Sequence, residues 1–314
     1  MKKICSLVMA LLVLLAVLPG LNETRAAPLR VGALKGPTAM GLVKLMEDAR
    51  DSTAYAFTLA ASPDALVPAL ARGELDLACL PVNLAAILYA NTQGALRVVN
   101  INTLGVLYIV ERGESVHQTV DLAGRTVYAS GKASTPEYVL SHLLTQAGLE
   151  DVTVEWKAEH AEALAALLND PAGLAMLPQP FVTVAQTRNP DIRIALDLNA
   201  EWEALGAGTL ITGVTVVRAE LINAQPERLA AFLADYEASA AFVSQNIPEA
   251  ARLIGGFDII NEQVAQKALP YCGITFISGE DMVQRLQAFY QMLFEQNPAS
   301  TGGALPDDAF YYRP

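Results

Sequence analysis

The chain has 314 residues, 53% of them hydrophobic and 17% charged, with 21 Lys and Arg against 33 Asp and Glu for a formal net charge of −12. That acidity argues against a nucleic acid or an anionic membrane as the partner. The length exceeds what one core usually organises, so two lobes are expected.

The chain opens on a secretory pattern. Lys2 and Lys3 precede an apolar run over residues 4–18, and Pro19-Gly20 breaks it. A run of about 15 residues is shorter than the roughly 20 that span a bilayer, and Thr24-Arg25-Ala26 offers small residues around a cleavage site. The signal is assigned to residues 1–26, with an uncleaved anchor helix as the alternative. The mature chain then starts near Ala27 and is expected to be soluble. Losing Lys2, Lys3, Arg25 and Glu23 removes a net +2 and leaves −14. Cys5 sits early in the apolar run rather than after it, so no lipid anchor is expected.

Strand-like runs then alternate with amphipathic helix patterns, the signature of parallel sheets flanked by helices. The first unit is a strand over 29–34, a turn at Gly36-Pro37-Thr38 and a helix over 39–49 with Met40, Val43 and Met46 on one face. A strand over 55–59 follows, with a helix capped at Ser62-Pro63 and ended by Gly73. A strand over 75–80 and a helix over 82–90 complete the set. Two apolar runs separated by Thr103-Leu104-Gly105 read as a crossover into a second lobe.

There, strands over 126–129, 152–156, 174–177 and 192–198 alternate with helices over 135–147, 161–168 and 181–188. The run 213–217 resembles a return strand. Residues 226–297 read as almost all helical, broken at Pro248, Gly255-Gly256 and Pro270, and are expected to pack on the first lobe. The division is 27–106 with 214–314 for lobe one and 107–213 for lobe two. Residues 103–105 and 212–213 are the expected hinges.

Ligands in open α/β sheets sit at the carboxyl ends of strands, which directs attention to four segments. Ser134-Thr135-Pro136-Glu137 fits a capping box, so the helix after it presents free N–H groups, helped by the Ser130, Ser134 and Thr135 hydroxyls. Gly36, Thr38 and Ala39 form the counterpart after the first strand, where glycine permits close approach. Asn83 and Gln179 stand at two further strand ends. For each, an ordinary cap or turn role is the competing reading. Uncharged donors of this kind suit a small polar or weakly anionic organic solute, with Lys35 and Lys132 at the rim.

Metal and nucleophile chemistry find little support. His117, His142 and His160 stand apart, without metal-ligand spacing. Cys79 and Cys272 are expected to be two buried thiols, with a disulfide between them as the alternative. No GxSxG, HExxH or phosphate-cradling GxxxxGK[ST] occurs.

Five segments, PALARGELDLACLPVN, DLAGRTVYASGKASTPEYVLSHLL, MLPQPFVTVA, TGVTVVRAEL and GGALPDDAFYY, resemble in this order the NMT1/SsuA-like substrate-binding proteins of ABC importers, which take nitrate, sulfonates, taurine or pyrimidine vitamin precursors. The resemblance implies a type II periplasmic-binding-protein fold of class α/β, with two lobes, two crossovers and a ligand cleft. It also implies a periplasmic or other extracytoplasmic location, docking on permease subunits, no cofactor, no metal and no catalysis, and a monomer is expected. By carry-over Gly36, Thr38, Asn83, Ser130, Ser134, Thr135 and Gln179 resemble cleft positions. Sulfonate-binding relatives have a cleft Arg that is not evident here. An enzyme or sensor on the same fold, acting on a pyrimidine- or aromatic-type metabolite, is the alternative.

Overall fold

The computed structural model describes residues 27–313, so the assigned signal with Cys5 and its cleavage site lies outside the described residues. The apolar runs at 29–34 and 77–81 carry little polar alternation because helices cover both faces of their sheet, and β1 (Leu29–Leu34) and β3 (Leu77–Pro81) are accordingly almost wholly buried.

The first sheet runs β2 (Tyr55–Ala60), β1, β3, β10 (Ile211–Arg218), β4 (Leu96–Leu104) and β11 (Ile274–Ile277). The second runs β7 (Thr153–Lys157), β6 (Thr126–Ser130), β8 (Leu174–Pro178), β5 (Leu107–Arg112) and β9 (Ile192–Asp197). In each, the first strand is parallel to the second and third, and one inserted strand, β10 or β5, is antiparallel to both neighbours. The inserted strand is in both cases the one that arrives from the other sheet. Two mixed sheets joined by two crossovers give the two-lobed α/β architecture expected from the sequence.

The crossovers lie side by side. Gly105 N–H donates to Leu210 O at 2.8 Å, and the Thr212 hydroxyl to Thr103 O at 3.4 Å. Gly105 and Val106 both adopt positive φ, 60° and 76°. For a β-branched residue such as Val106 this is a strained conformation that only the surrounding structure can hold.

In the first lobe, the helix expected over 39–49 is two pieces, α1 (Pro37–Met40) and α2 (Val43–Asp48). The cause is distant in sequence. The Ser239 hydroxyl donates to Gly41 O at 2.7 Å and accepts from Leu45 N–H at 3.1 Å, inserting itself between the two groups that a continuous helix would pair. Helices α3 (Pro63–Ala71) and α4 (Val82–Asn91) follow their strands as expected.

The second lobe holds α5 (Thr135–Gln146), α6 (His160–Asn169), α7 (Phe181–Arg188) and α8 (Leu198–Ala204). The chain after β10 forms α9 (Ala219–Ala224), α10 (Pro226–Gln245), α11 (Ile247–Gly256), α12 (Glu262–Ala268), β11 and α13 (Gly279–Gln296). β11 corrects the all-helical expectation. Four residues of intermediate burial on a sheet edge leave too short a pattern to read.

Helix α13 also touches the other lobe. Phe289 packs on Trp202 of α8 with ring centroids 5.6 Å apart, and Gln296 Nε2 donates to Tyr138 O of α5 at 3.0 Å. Val139, Leu140 and Leu143 share one apolar cluster with Leu286, Phe289 and Leu293, so a hydrophobic seam joins the lobes. Cys79 and Cys272 are free and buried in separate clusters, and burial pushes their thiols up to about 11 and about 12.

Candidate functional site

Strands β1, β2 and β3 of the first sheet and β6, β7 and β8 of the second end against one another. The segments that follow them border a cavity of about 430 Å³ lying between the lobes. Thr103, Val106 and Thr212 of the crossovers border it as well. Carboxyl ends of parallel strands converge where helices begin, so the site consists of strand ends, turn residues and first helical turns.

Of the residues singled out from the sequence, Gly36, Thr38, Ser130, Ser134, Thr135 and Gln179 border this cavity. Ala39 is fully buried in an apolar cluster. Asn83, also fully buried, reaches across to the other lobe. The Thr135 hydroxyl donates to Asn83 Oδ1 at 3.0 Å, and Asn83 Nδ2 donates to Ala133 O at 3.3 Å. The pair forms a polar bridge between the lobes.

Several of these groups are committed within the protein. The Thr38 hydroxyl donates to Leu34 O at 2.9 Å, and Gln179 Oε1 accepts from the Thr183 N–H and hydroxyl at 3.3 and 2.8 Å. The capping box differs in detail from expectation. Ser134 makes no side-chain cap bond, and the Glu137 carboxylate accepts from the N–H of Ala133, one residue before the cap. Gly131 and Ala133 in that turn both adopt positive φ, 88° and 58°.

The sequence reading missed His160 and Phe181. His160 opens α6 after β7, and its Nδ1 lies 2.5 Å from the Ser130 hydroxyl at the end of β6. Phe181 opens α7 after a cis Gln179-Pro180 bond and packs against the His160 ring, tilted by 49° with centroids 5.3 Å apart. The strand-end rule that selected Ser130 and Gln179 applies equally to both; they were passed over because isolated His and Phe residues carry no motif.

A serine hydroxyl on an imidazole is also the arrangement of an activated nucleophile. Here burial pushes the His160 imidazole down to about 4, which makes it a poor base near neutrality. Among the described residues no carboxylate orients it.

Charge stays at the mouth. Lys35 pairs with Asp258 at 2.9 Å, and Lys157 pairs with Glu155 at 3.0 Å while lying over the Tyr128 ring. Lys132, Asp64 and Glu159 are exposed. Among the described residues no helix is long and apolar enough to cross a membrane, and no cluster of His, Cys, Asp or Glu could hold a metal ion.

Solved structures with this architecture include an ABC transporter from Parabacteroides distasonis, 22% identical with a TM-score of 0.78 over 92% of this chain and 99% of that one. The alkanesulfonate-binding protein SsuA from Xanthomonas axonopodis pv. citri, bound to MOPS, is 17% identical with a TM-score of 0.72 over 92% and 99%. A Candida albicans protein described as exhibiting the generic periplasmic binding protein structural fold is 13% identical with a TM-score of 0.61 over 91% and 94%. These likenesses establish the periplasmic-binding-protein fold. No curated protein matches the chain. The family model for "ABC transporter, phosphonate, periplasmic substrate-binding protein" matches residues 42–262, well over half of the sequence. With the whole second sheet and four of the six strands of the first inside that span, the chain belongs to this family of ABC-transporter substrate-binding proteins.

Proposed function

We propose that the protein is the extracytoplasmic receptor of an ABC importer, holding a small organic solute between its lobes and handing it to membrane permease subunits. The observation that carries this reading is the cavity between six strand ends, bordered by both crossovers. On this reading the cavity closes by a change at residues 103–105 and 212–213, with 27–106 and 214–314 moving against 107–213. Gly36, Thr38, Ser130, Ser134, Thr135 and Gln179 supply the polar contacts, and Asn83 serves closure rather than the solute.

On this reading the protein is a binder and not an enzyme, since the Ser130–His160 pair has a weak base and both thiols are buried away from the cavity. Export by the cleaved segment 1–26 and a monomeric state belong to the same proposal. Small-angle scattering of the mature chain during a solute screen tests it. A bound solute should compact the protein, raise stability by about 2.7 kcal/mol at a hundredfold excess over Kd, and be recovered chemically unchanged. Superimposable profiles at saturation, or turnover of the solute, would refute it. Intact mass of protein from the native envelope tests cleavage at Ala26-Ala27.

A further inference from the structure

The helix ends that face the cavity are where a bound anion would find compensation, because the positive dipole end and free N–H groups favour negative charge. In this protein those ends carry negative charge of their own. Glu137 lies in the first turn of α5, and its carboxylate accepts the Ala133 N–H at 2.5 Å. Glu162 does the same in the first turn of α6, accepting the Ala158 N–H at 3.0 Å. Asp64 occupies the first turn of α3 and borders the cavity. Helix α7 has no acid in its first turn, but it donates the Thr183 N–H to Gln179 Oε1.

The cations do not make up the difference. Of the three lysines on the cavity wall, Lys35 and Lys157 are already paired with carboxylates, which leaves exposed Lys132 as the one without an ion pair among the described residues. An anion inside would therefore be desolvated with no buried counter-charge, Asp64 and Glu159 would stand on the wall beside it, and the helix ends that could compensate it already carry Glu137 and Glu162.

Hydrogen-bonding capacity in the interior is uncharged. His160 Nε2, the Ser134 hydroxyl and the Gln179 side-chain nitrogen have no hydrogen-bond partner among the described residues, and all three residues border the cavity. Most of the remaining wall is apolar, including Pro37, Pro81, Leu84, Leu107, Pro136 and Phe181.

Taking the cavity as the solute site, as proposed above, we infer that it is built for an uncharged organic solute with an apolar body and one hydrogen-bonding edge, and against phosphonates, sulfonates and other strong anions. The apolar body lies against the prolines and Phe181, and the edge meets Ser134, Gln179 and His160.

Matched probes of one shape and different charge test this: benzamide against benzenesulfonate and phenylphosphonate, and cyclohexanecarboxamide against cyclohexanecarboxylate. Each is titrated calorimetrically into the mature protein at physiological salt. The neutral member of each set should bind at least about tenfold more tightly than its anions. Phe181→Ala should weaken the neutral probes, and a Glu137→Gln, Glu162→Gln double variant should narrow the preference by improving the anions. Tighter binding of the anions, or no binding by any neutral probe, overturns the inference. The receptor reading falls only if no solute of either kind compacts the protein.

Discussion

After β1 in lobe one and β6 in lobe two the chain turns through a glycine into a helix, but the outcomes are unlike. In lobe one, Gly36-Pro37-Thr38 leads into α1, a helix of four residues that Ser239 cuts off from α2. In lobe two, Gly131 to Ser134 leads into α5, which runs unbroken for twelve residues with Glu137 over its first turn. Lobe one thus gives the cavity mainly shape, through Pro37, Pro63 and Pro81, and lobe two gives it most of the uncommitted polar groups. A strand order shared over five positions fixes where a ligand site lies, whereas the chemistry of each wall depends on how the turn after each strand is capped.

The largest expected effect comes from separating the lobes where they are joined. Phe289 is 2% exposed and packs on Trp202 of the opposite lobe. Truncation in Phe289→Ala should cost about 3–5 kcal/mol, read by denaturant unfolding. The two lobes should also lose cooperativity. A cost under about 1 kcal/mol would show that the seam does not link them.

Next in size is a contrast between two carboxylate–arginine pairs, one per lobe. Glu111, with its side chain 1% exposed, accepts from the N–H groups of Ser115 and Val116 and pairs with Arg193 at 2.7 Å. Asp76, 15% exposed, accepts from the backbone and side chain of Arg30. Burial works to raise both acids, but the hydrogen bonds and the facing arginines outweigh it and hold each below the usual range. Glu111→Gln should cost about 3 kcal/mol and Asp76→Asn no more than about half of that, because less of the second pair is desolvated. The reverse order in matched melts would break the comparison.

A smaller difference should appear in acid. His160 is lowered to about 4 from an ordinary value near 6.5, so below pH 6.5 the unfolded chain takes up a proton that the folded one refuses. Stability from this group is complete above pH 6.5, falls as pH drops towards 4, and is reduced by about 1 kcal/mol at pH 5.5 once solvent reaching the ring from the cavity is allowed for. His160→Gln should flatten this part of the melting-temperature profile between pH 6.5 and 4. A profile as steep as the parent's would remove His160 as its source.

What the sequence revealed, and what it hid, divides along the same physical line. Strands such as 29–34 and 174–178 were legible because continuous apolar runs between glycines and prolines report burial on both faces, a local signal. The break at Gly41 was not, since the hydroxyl that makes it lies 198 residues away. Ser130 and His160 likewise meet only because β6 and β7 pair in parallel, which brings together side chains 30 residues apart. Strand ends could be located from pattern alone, but whether a cap faced the solute or its own helix depended on contacts made across the fold. Asn83 illustrates this, as its partners Thr135 and Ala133 are in the other lobe.

The smallest expected effect tests that bridge. Thr135 and Thr38 both stand in the first turn of a helix that borders the cavity, yet Thr135 donates to Asn83 across the cleft while Thr38 donates to Leu34 O within its own lobe. Removing one neutral hydrogen bond costs about 1 kcal/mol. In Thr135→Ala that loss falls on the closed arrangement alone, because the open one never makes the bond. The closed population without ligand should drop roughly fivefold, and scattering should show a larger radius of gyration with little change in lobe unfolding. Thr135→Ser, which keeps the donor, should restore the parent profile. Thr38→Ala should instead leave the closure equilibrium in place, since its hydroxyl makes the same bond in the open and closed forms. Equal expansion in Thr38→Ala and Thr135→Ala would show that Asn83 does not hold the lobes together.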